Sequence, residues 1–181
     1  AVGAFSAPGE AVAVLKPVYY PFFSAVQDTG RRLVSCNLRN ESGVYNLDAE
    51  ALEHLFAEEK PKALILSSPH NPVGRVWTPE ELKAVGDICV RLGVEIISDE
   101  IHSDLIQKPY HHTHLSSLSP ELMERTVTLI APTKTFNIAG LSTSVMITPG
   151  EALRAKVREE LNRYHVEQGN LFGTVTLTAA Y

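Results

Sequence analysis

The sequence predicts an α/β protein with a mostly parallel sheet and helices on both faces, arranged as three α/β/α layers. Short apolar runs alternate with helical segments of about 10 to 15 residues, the pattern of strands joined by helical crossovers. The chain has 181 residues, of which 44% are hydrophobic and 20% charged, as in an ordinary globular protein. One domain is therefore expected.

The first elements are a strand, a helix and a second strand. Ala11–Leu15 is a short apolar run that ends at the turn-like pair Lys16-Pro17. Pro21–Asp28 is apolar on one side and stops at Gly30, as expected of an amphipathic helix. Arg32–Cys36 follows as the next strand.

The next elements repeat this alternation. Tyr45–Leu47 is expected to be extended, and Asp48 is placed to cap a helix over Ala49–Glu59. Ala63–Ser67 is a continuous apolar run bounded by polar residues and prolines, which predicts a buried strand.

The clearest helix start lies at Thr78-Pro79-Glu80-Glu81. Thr at the N-cap, Pro at the first helical position and Glu at the third form a capping box, in which side chains satisfy free backbone N–H groups. This helix is predicted to run to about Leu92 and to end at Gly93.

The last part of the chain contains three further strands and two helices. The strands are predicted at Val94–Ser98, Val127–Ile130 and Ser144–Ile147. Glu151–Tyr164 is predicted to be a helix with a charged outer face, and Gly169–Tyr181 is also expected to be helical.

Composition excludes several classes of function. A net charge of -5 does not suit a protein that binds nucleic-acid phosphates. No apolar run approaches the roughly 20 residues that cross a bilayer, and the opening segment does not resemble a signal peptide. With only Cys36 and Cys89, the chain has no disulfide framework, so the cytoplasm is the expected compartment.

Polar residues follow three of the predicted strands, where parallel sheets bind their ligands. Asn71 lies in a Pro-rich loop, with Asn71-Pro72 a candidate cis bond. Asp99 and Lys134 follow the next two strands. Taken singly, Asn71 can bond its own backbone, Asp99 can cap a turn, and Lys134 can be a solvated surface residue. The apolar residues after Phe136 favour instead a partly desolvated, nucleophilic lysine.

Several motifs in this order resemble a known family. SSPHNPVG, SDEIH and APTKTFNIAGL are similar to those of fold type I pyridoxal-phosphate enzymes, the aspartate aminotransferase superfamily of class I/II. PVYYPFF, HNPVGRVWTPEEL and ISDEIHSDL resemble the cystathionine β-lyase (MalY/PatB-type) C–S lyase branch. The resemblance runs from about Gly9 to the end, and it implies the large domain of a transferase-type fold.

This resemblance implies roles for four residues around pyridoxal 5'-phosphate. Lys134 would bind the cofactor covalently and, once freed, act as general base at the substrate α-carbon. Asp99 would pair with the pyridine nitrogen, which keeps the ring an electron acceptor. Asn71 would donate a hydrogen bond to the phenolic oxygen, and Tyr19 would stack on the ring, with core packing as the alternative for Tyr19.

Other positions depart from the aminotransferase pattern. His102 stands where aminotransferases commonly have a tyrosine that reaches the phenolic oxygen, and an imidazole N–H can serve there. Ala131 replaces a phosphate-binding serine, so Thr133 becomes the local phosphate donor. Ser142 stands where aminotransferases often have an arginine, which favours the lyase branch. The remaining aromatic residues of the first motif are expected to pack in the core: Tyr20, Phe22 and Phe23.

The other motifs give weaker indications of function. His111, His112 and His114 form a local cluster, but zinc needs three or four convergent ligands and no second cluster is visible, so no metal is expected. Cys36 and Cys89 are expected to be small buried residues. Neither GxGxxG nor a phosphate-binding GKS or GKT loop occurs, which excludes nicotinamide and P-loop nucleotide sites.

The resemblance also implies what the chain is part of. Residues 1–181 would form most of a cofactor-binding large domain, with a phosphate-binding turn before Ala1 and a small domain beyond Tyr181. The whole protein would be a homodimeric C–S β-lyase that acts on cystathionine or cysteine S-conjugates and releases thiol, pyruvate and ammonia. Two alternatives stay open: an aminotransferase with the same cofactor residues, and a non-catalytic cofactor-binding or interaction module.

Overall fold

The computed structural model describes residues 1–166 and 169–181. Eight strands and eight α-helices, all short to medium in length, make up these segments. The strands are β1 Ala11–Lys16, β2 Arg32–Asn37, β3 Arg39–Glu41, β4 Val44–Asn46, β5 Ala63–Ser67, β6 Glu95–Asp99, β7 Thr126–Ile130 and β8 Val145–Ile147. The helices are α1 Val2–Phe5, α2 Pro21–Gln27, α3 Ala49–Glu59, α4 Pro79–Leu92, α5 Pro120–Arg125, α6 Pro132–Thr135, α7 Glu151–Arg163 and α8 Leu171–Ala180.

Six strands form the central sheet in the order β2-β1-β5-β6-β7-β8. The first five strands of this order run parallel, and only β8 pairs antiparallel, with β7. The predicted mostly parallel sheet is therefore confirmed. Its central strands β5 and β6 are covered on both faces, which explains why Ala63–Ser67 is buried along its whole length.

The sheet separates two apolar cores because successive side chains of a strand point to opposite faces. Along β1, Ala11, Ala13 and Leu15 belong to one core, whereas Val12 and Val14 belong to the other. Helices α3 and α4 pack in the first core, and α1, α2 and α7 pack in the second. The three-layer α/β/α arrangement is thereby confirmed.

The structure also contains elements that the sequence pattern did not predict. The extended segment expected at Tyr45–Leu47 overlaps β4, but the pairing of β4 with β3 in a separate two-stranded hairpin was not predicted. Its turn places Ser42 and Gly43 at positive φ, the conformation that tight hairpin turns require. Helices α1, α5 and α6 have six residues or fewer, too few for a helical period to stand out.

Both cysteines are buried and free, as expected. Burial raises the pKa of the Cys89 thiol to about 12, and burial together with Asp48 raises that of Cys36. Both thiols therefore stay protonated and unreactive at neutral pH. Among the described residues, no helix combines the length and apolar character needed to cross a bilayer.

The capping box of α4 has the predicted form. The Thr78 hydroxyl accepts a hydrogen bond from the Glu81 N–H at 3.2 Å, and the Glu81 carboxylate accepts one from the Thr78 N–H at 2.9 Å. At the other end, Gly93 closes the helix in the left-handed conformation with φ of 70°.

We expect Thr78→Ala to lower the free energy of unfolding by about 1 kcal/mol, since one N–H at the helix start loses its acceptor. Urea denaturation followed by circular dichroism measures the change. Thr78→Ser keeps the hydroxyl and is the matched control, with an expected loss under about 0.5 kcal/mol. Equal losses in both variants would contradict a capping role.

Candidate active site

The carboxyl ends of four neighbouring parallel strands, β1, β5, β6 and β7, lie at one edge of the sheet. The segments that follow these strands meet around a cavity of about 60 Å³. Five of the six predicted site residues line it, together with two that sequence reasoning had not selected, Ser67 and Ile101. The five are Tyr19, Asn71, Asp99, His102 and Lys134.

Asp99 is the last residue of β6, between Ser67 on β5 and Leu129 on β7 in the strand register. Its carboxylate accepts a hydrogen bond from the Ile101 N–H at 3.3 Å. Burial raises the pKa of Asp99, and the Ile101 N–H and the charge of His102 offset this only in part. Such a carboxylate is suited to a cationic partner that would replace its lost hydration.

The loop after β5 places Asn71. Its N–H donates to the Ser67 hydroxyl at 3.1 Å, and that hydroxyl donates to the Pro69 carbonyl at 3.0 Å. The Asn71-Pro72 bond is cis, as the sequence suggested, and Ser68-Pro69 is cis as well. These backbone contacts leave the Asn71 side chain free to line the cavity.

His70 links the loops after β1 and β5, a role that sequence reasoning missed. The residue is fully buried, with Nε2 2.8 Å from the Pro17 carbonyl oxygen and Nδ1 3.2 Å from that of Ser67. Burial lowers the pKa of His70, which favours the neutral imidazole, and a neutral ring donates its single N–H to one of these two carbonyl oxygens. Its only sequence signal is its place between two prolines beside Asn71.

Tyr19 lies at the mouth of the cavity and is 38% exposed. Its ring meets Phe22 edge to face, with centroids 5.8 Å apart. Phe22 and Phe23 pack against the second core, as expected. The expectation that Tyr20 packs in the core is wrong: it occupies the N-cap position of α2 and is 74% exposed.

Lys134 belongs to the short helix α6 directly after β7 and reaches the cavity, but its side chain is exposed. The expectation that Lys134 is partly desolvated is therefore wrong within the described part of the chain. Phe136 is itself 44% exposed and Ala139 is exposed, so the apolar residues after Lys134 do not cover it. Thr133 is half-buried and does not line the cavity.

Asp104 positions α6 beside the cavity. Its Oδ2 accepts hydrogen bonds from the Thr135 hydroxyl at 2.8 Å and from the Tyr181 hydroxyl at 2.7 Å. The Tyr181 ring also meets Phe136 edge to face, with centroids 5.7 Å apart. The end of α8 is thereby attached to the segment that carries Lys134.

A second, larger cavity of about 530 Å³ adjoins the first one. The two cavities share Asn71 and His102, and the larger is bounded on its far side by Leu105, Lys108 and Tyr110. A ligand in the small cavity that contacts Asn71 and His102 can therefore extend into the larger cavity.

Comparison with known proteins identifies relatives along the whole chain. The family model of class I and II aminotransferases matches residues 1–169. Cystathionine beta-lyase PatB of Bacillus subtilis is 42% identical over all 181 residues, which cover 47% of that protein. Kynurenine–oxoglutarate transaminase 3 of Rattus norvegicus is 32% identical over 81% of the chain and 34% of its own length.

Solved structures show the same fold. The crystal structure of cystalysin from Treponema denticola, which contains pyridoxal 5'-phosphate, matches with a TM-score of 0.91 and 39% identity over 95% of the chain. The match covers 44% of the cystalysin chain. The chain thus spans less than half the length of each of these proteins.

Without cofactor, we expect Asp99→Asn to raise the free energy of unfolding at pH 7 by about 0.5–2 kcal/mol. Because the folded pKa of Asp99 is raised, its ionisation penalises the folded state fully above that pKa. The penalty disappears as pH falls below the unfolded value of about 3.9. The stability difference between variant and wild type should therefore shrink on acidification.

Urea denaturation at a series of pH values measures this difference. Asp28→Asn is the matched control, because Asp28 is exposed and its replacement should change stability by less than about 0.5 kcal/mol. A destabilised Asp99→Asn protein at pH 7 would contradict the raised pKa.

Proposed function

The chain belongs to the class I and II aminotransferase family, and on this premise we propose that the whole protein is a pyridoxal-phosphate-dependent C–S β-lyase. Its substrates would be cystathionine or cysteine S-conjugates, and its products a thiol, pyruvate and ammonia. The observation that carries the proposal is that Tyr19, Asn71, Asp99 and Lys134 line one common cavity. The chain is also 42% identical to a cystathionine β-lyase.

The residues of the cavity suit the ring of the cofactor. Asp99 offers a buried carboxylate with a raised pKa, which a protonated ring nitrogen would satisfy. Asn71 offers a side-chain amide to the phenolic oxygen, and His102 offers an imidazole N–H beside it. Tyr19 supplies an aromatic face at the mouth of the cavity.

Lys134 is the proposed catalytic residue. Its amine would hold the cofactor covalently and, when substrate displaces it, would take the proton from the substrate α-carbon. The bound cofactor supplies an electron acceptor for the pair that this proton leaves behind. Asp99 would keep the ring nitrogen protonated, because its negative charge favours the cationic ring.

Thr133 stays the proposed phosphate donor. It carries a hydroxyl directly before Lys134 at the start of α6, whereas Ala131 has no donor to offer in its side chain. Thr133 does not line the small cavity, so it would contact a part of the cofactor other than the ring.

Aminotransferase activity is the second candidate function. It is favoured by the 32% identity to kynurenine–oxoglutarate transaminase 3 of Rattus norvegicus. We rank it second because PatB is more similar and because Ser142 replaces the arginine that aminotransferases often have. The third candidate is that residues 1–181 alone are a cofactor-binding or interaction module without turnover.

We further propose that residues 1–181 are most of the cofactor-binding large domain of a longer protein. The relatives are more than twice as long, which leaves room for a second domain to bind the substrate carboxylate. The whole protein would be a cytoplasmic homodimer with a small-molecule amino-acid substrate. It would need neither nucleic acid nor a membrane as partner.

The proposed activity is tested by incubating the full-length protein and pyridoxal phosphate with cystathionine, and measuring pyruvate with lactate dehydrogenase. We expect pyruvate and thiol in equal amounts. Conversion of bound cofactor to pyridoxamine phosphate, with amination of a keto acid and little pyruvate, would identify the aminotransferase instead. Turnover by residues 1–181 alone would contradict the non-catalytic alternative.

We expect Lys134→Ala to lower kcat by about 10²–10⁴-fold or more, because both the covalent anchor and the general base are lost. Borohydride reduction followed by peptide mass spectrometry should find the cofactor on Lys134 in the wild type only. Lys83→Ala is the control, since Lys83 forms an exposed ion pair with Asp87 on α4. Cofactor trapped on another lysine in the wild type would overturn the assignment.

A further inference from the structure

Glu100 is a fully buried carboxylate that contacts two histidines. Its Oε2 lies 2.8 Å from Nε2 of His112 and also contacts Nδ1 of His114. The sequence showed the histidines as a local cluster with no second cluster of ligands in view, and the structure adds the Glu100 carboxylate to His112 and His114. The chain folds back after β6, and a carboxylate from a distant position joins them.

The carboxylate is held in place on its other oxygen. Oε1 of Glu100 accepts hydrogen bonds from the Ser98 hydroxyl at 2.8 Å and from the Leu115 N–H at 3.3 Å. Leu115 is itself fully buried. Such contacts behind a ligand fix its orientation, and Oε2 is thereby directed at the two imidazoles.

The three groups have the chemistry of a transition-metal site. One ligand atom from each residue lies within 4.8 Å of the other two. Tetrahedral zinc with bonds of about 2.0–2.2 Å needs its ligand atoms about 3.3 Å apart, so only small side-chain movements are required. Glu100 is rigid, but the side chain of His114 is 52% exposed and can adjust.

The exposure of His114 also leaves one side of the cluster open to solvent. The side chain of His112 is only 9% exposed and that of Glu100 is fully buried, so the opening is on the side of His114 alone. Two histidines, one carboxylate and a water in the open position form a four-coordinate zinc set.

We infer that Glu100, His112 and His114 bind a zinc-class divalent ion. The ion replaces the protons that otherwise join the imidazoles to Oε2, and its charge neutralises the buried carboxylate. Bound there, it attaches the segment before Leu115 to the end of β6. Since Glu100 directly follows Asp99, the ion also stabilises the edge of the sheet that carries the candidate active site.

Zinc binding is tested on the untagged full-length protein after treatment with a chelator. Isothermal titration calorimetry with zinc chloride should give about one equivalent per chain for this site. His114→Ala removes an exposed ligand without a change in the core and should weaken that binding at least about tenfold. His111→Ala is the matched control, because His111 is exposed and contributes no atom to the cluster.

Cobalt(II) adds a measurement that does not depend on activity or on stability. A cobalt-loaded wild type and His111→Ala protein should show visible d–d absorption of a four-coordinate site, and His114→Ala should lose it. Equal zinc affinity in wild type and His114→Ala, or the absence of zinc binding at tenfold molar excess, would overturn the inference. In either case Glu100 and the histidines form a hydrogen-bonded cluster only.

Discussion

Two consecutive carboxylates at the end of β6 are the constraint on which the rest of the site depends. Burial alone would push up the pKa of Glu100, but His112, Ser98 and His114 hydrogen-bond to its carboxylate and lower it below the usual range. Asp99 accepts a hydrogen bond from the Ile101 N–H, which offsets burial only in part, and its pKa is raised. The fold therefore satisfies one buried carboxylate internally and leaves the other in need of a cation, at the edge where Lys134 and Asn71 meet.

The parallel order of the strands explains why these side chains meet at all. Strands β1, β5, β6 and β7 are neighbours in the sheet although long crossovers separate them in sequence. Parallel pairing brings their carboxyl ends to one edge, so each strand end with its exit loop contributes at least one polar side chain to a common cavity. His70 then ties the first two exit loops together, which positions Tyr19 relative to Asn71. A lyase and an aminotransferase could share this frame, because in the proposed assignment its residues would hold the cofactor rather than the substrate.

Much of the fold was predictable because the local signals agree with the tertiary structure. Helix α3 has the predicted bounds with Asp48 as its cap, α4 has its capping box and terminal glycine, and β5 has the predicted five residues. The hairpin of β3 and β4 was not predictable from pattern, since strands of three exposed or half-buried residues have no apolar periodicity. The exposure of Lys134 was also missed, because whether apolar neighbours cover a side chain depends on their direction in space.

The sequence by itself determined the fold class, the order of the main elements and which polar residues follow the strands, because apolar periodicity and capping are properties of neighbouring residues. The family resemblance added chemical roles to Tyr19, Asn71, Asp99 and Lys134. Only the tertiary structure decided that these four share a cavity, that Tyr20 is exposed, and that Glu100 meets two histidines. Such contacts join residues far apart in sequence, and they exist only once the sheet has brought distant segments together.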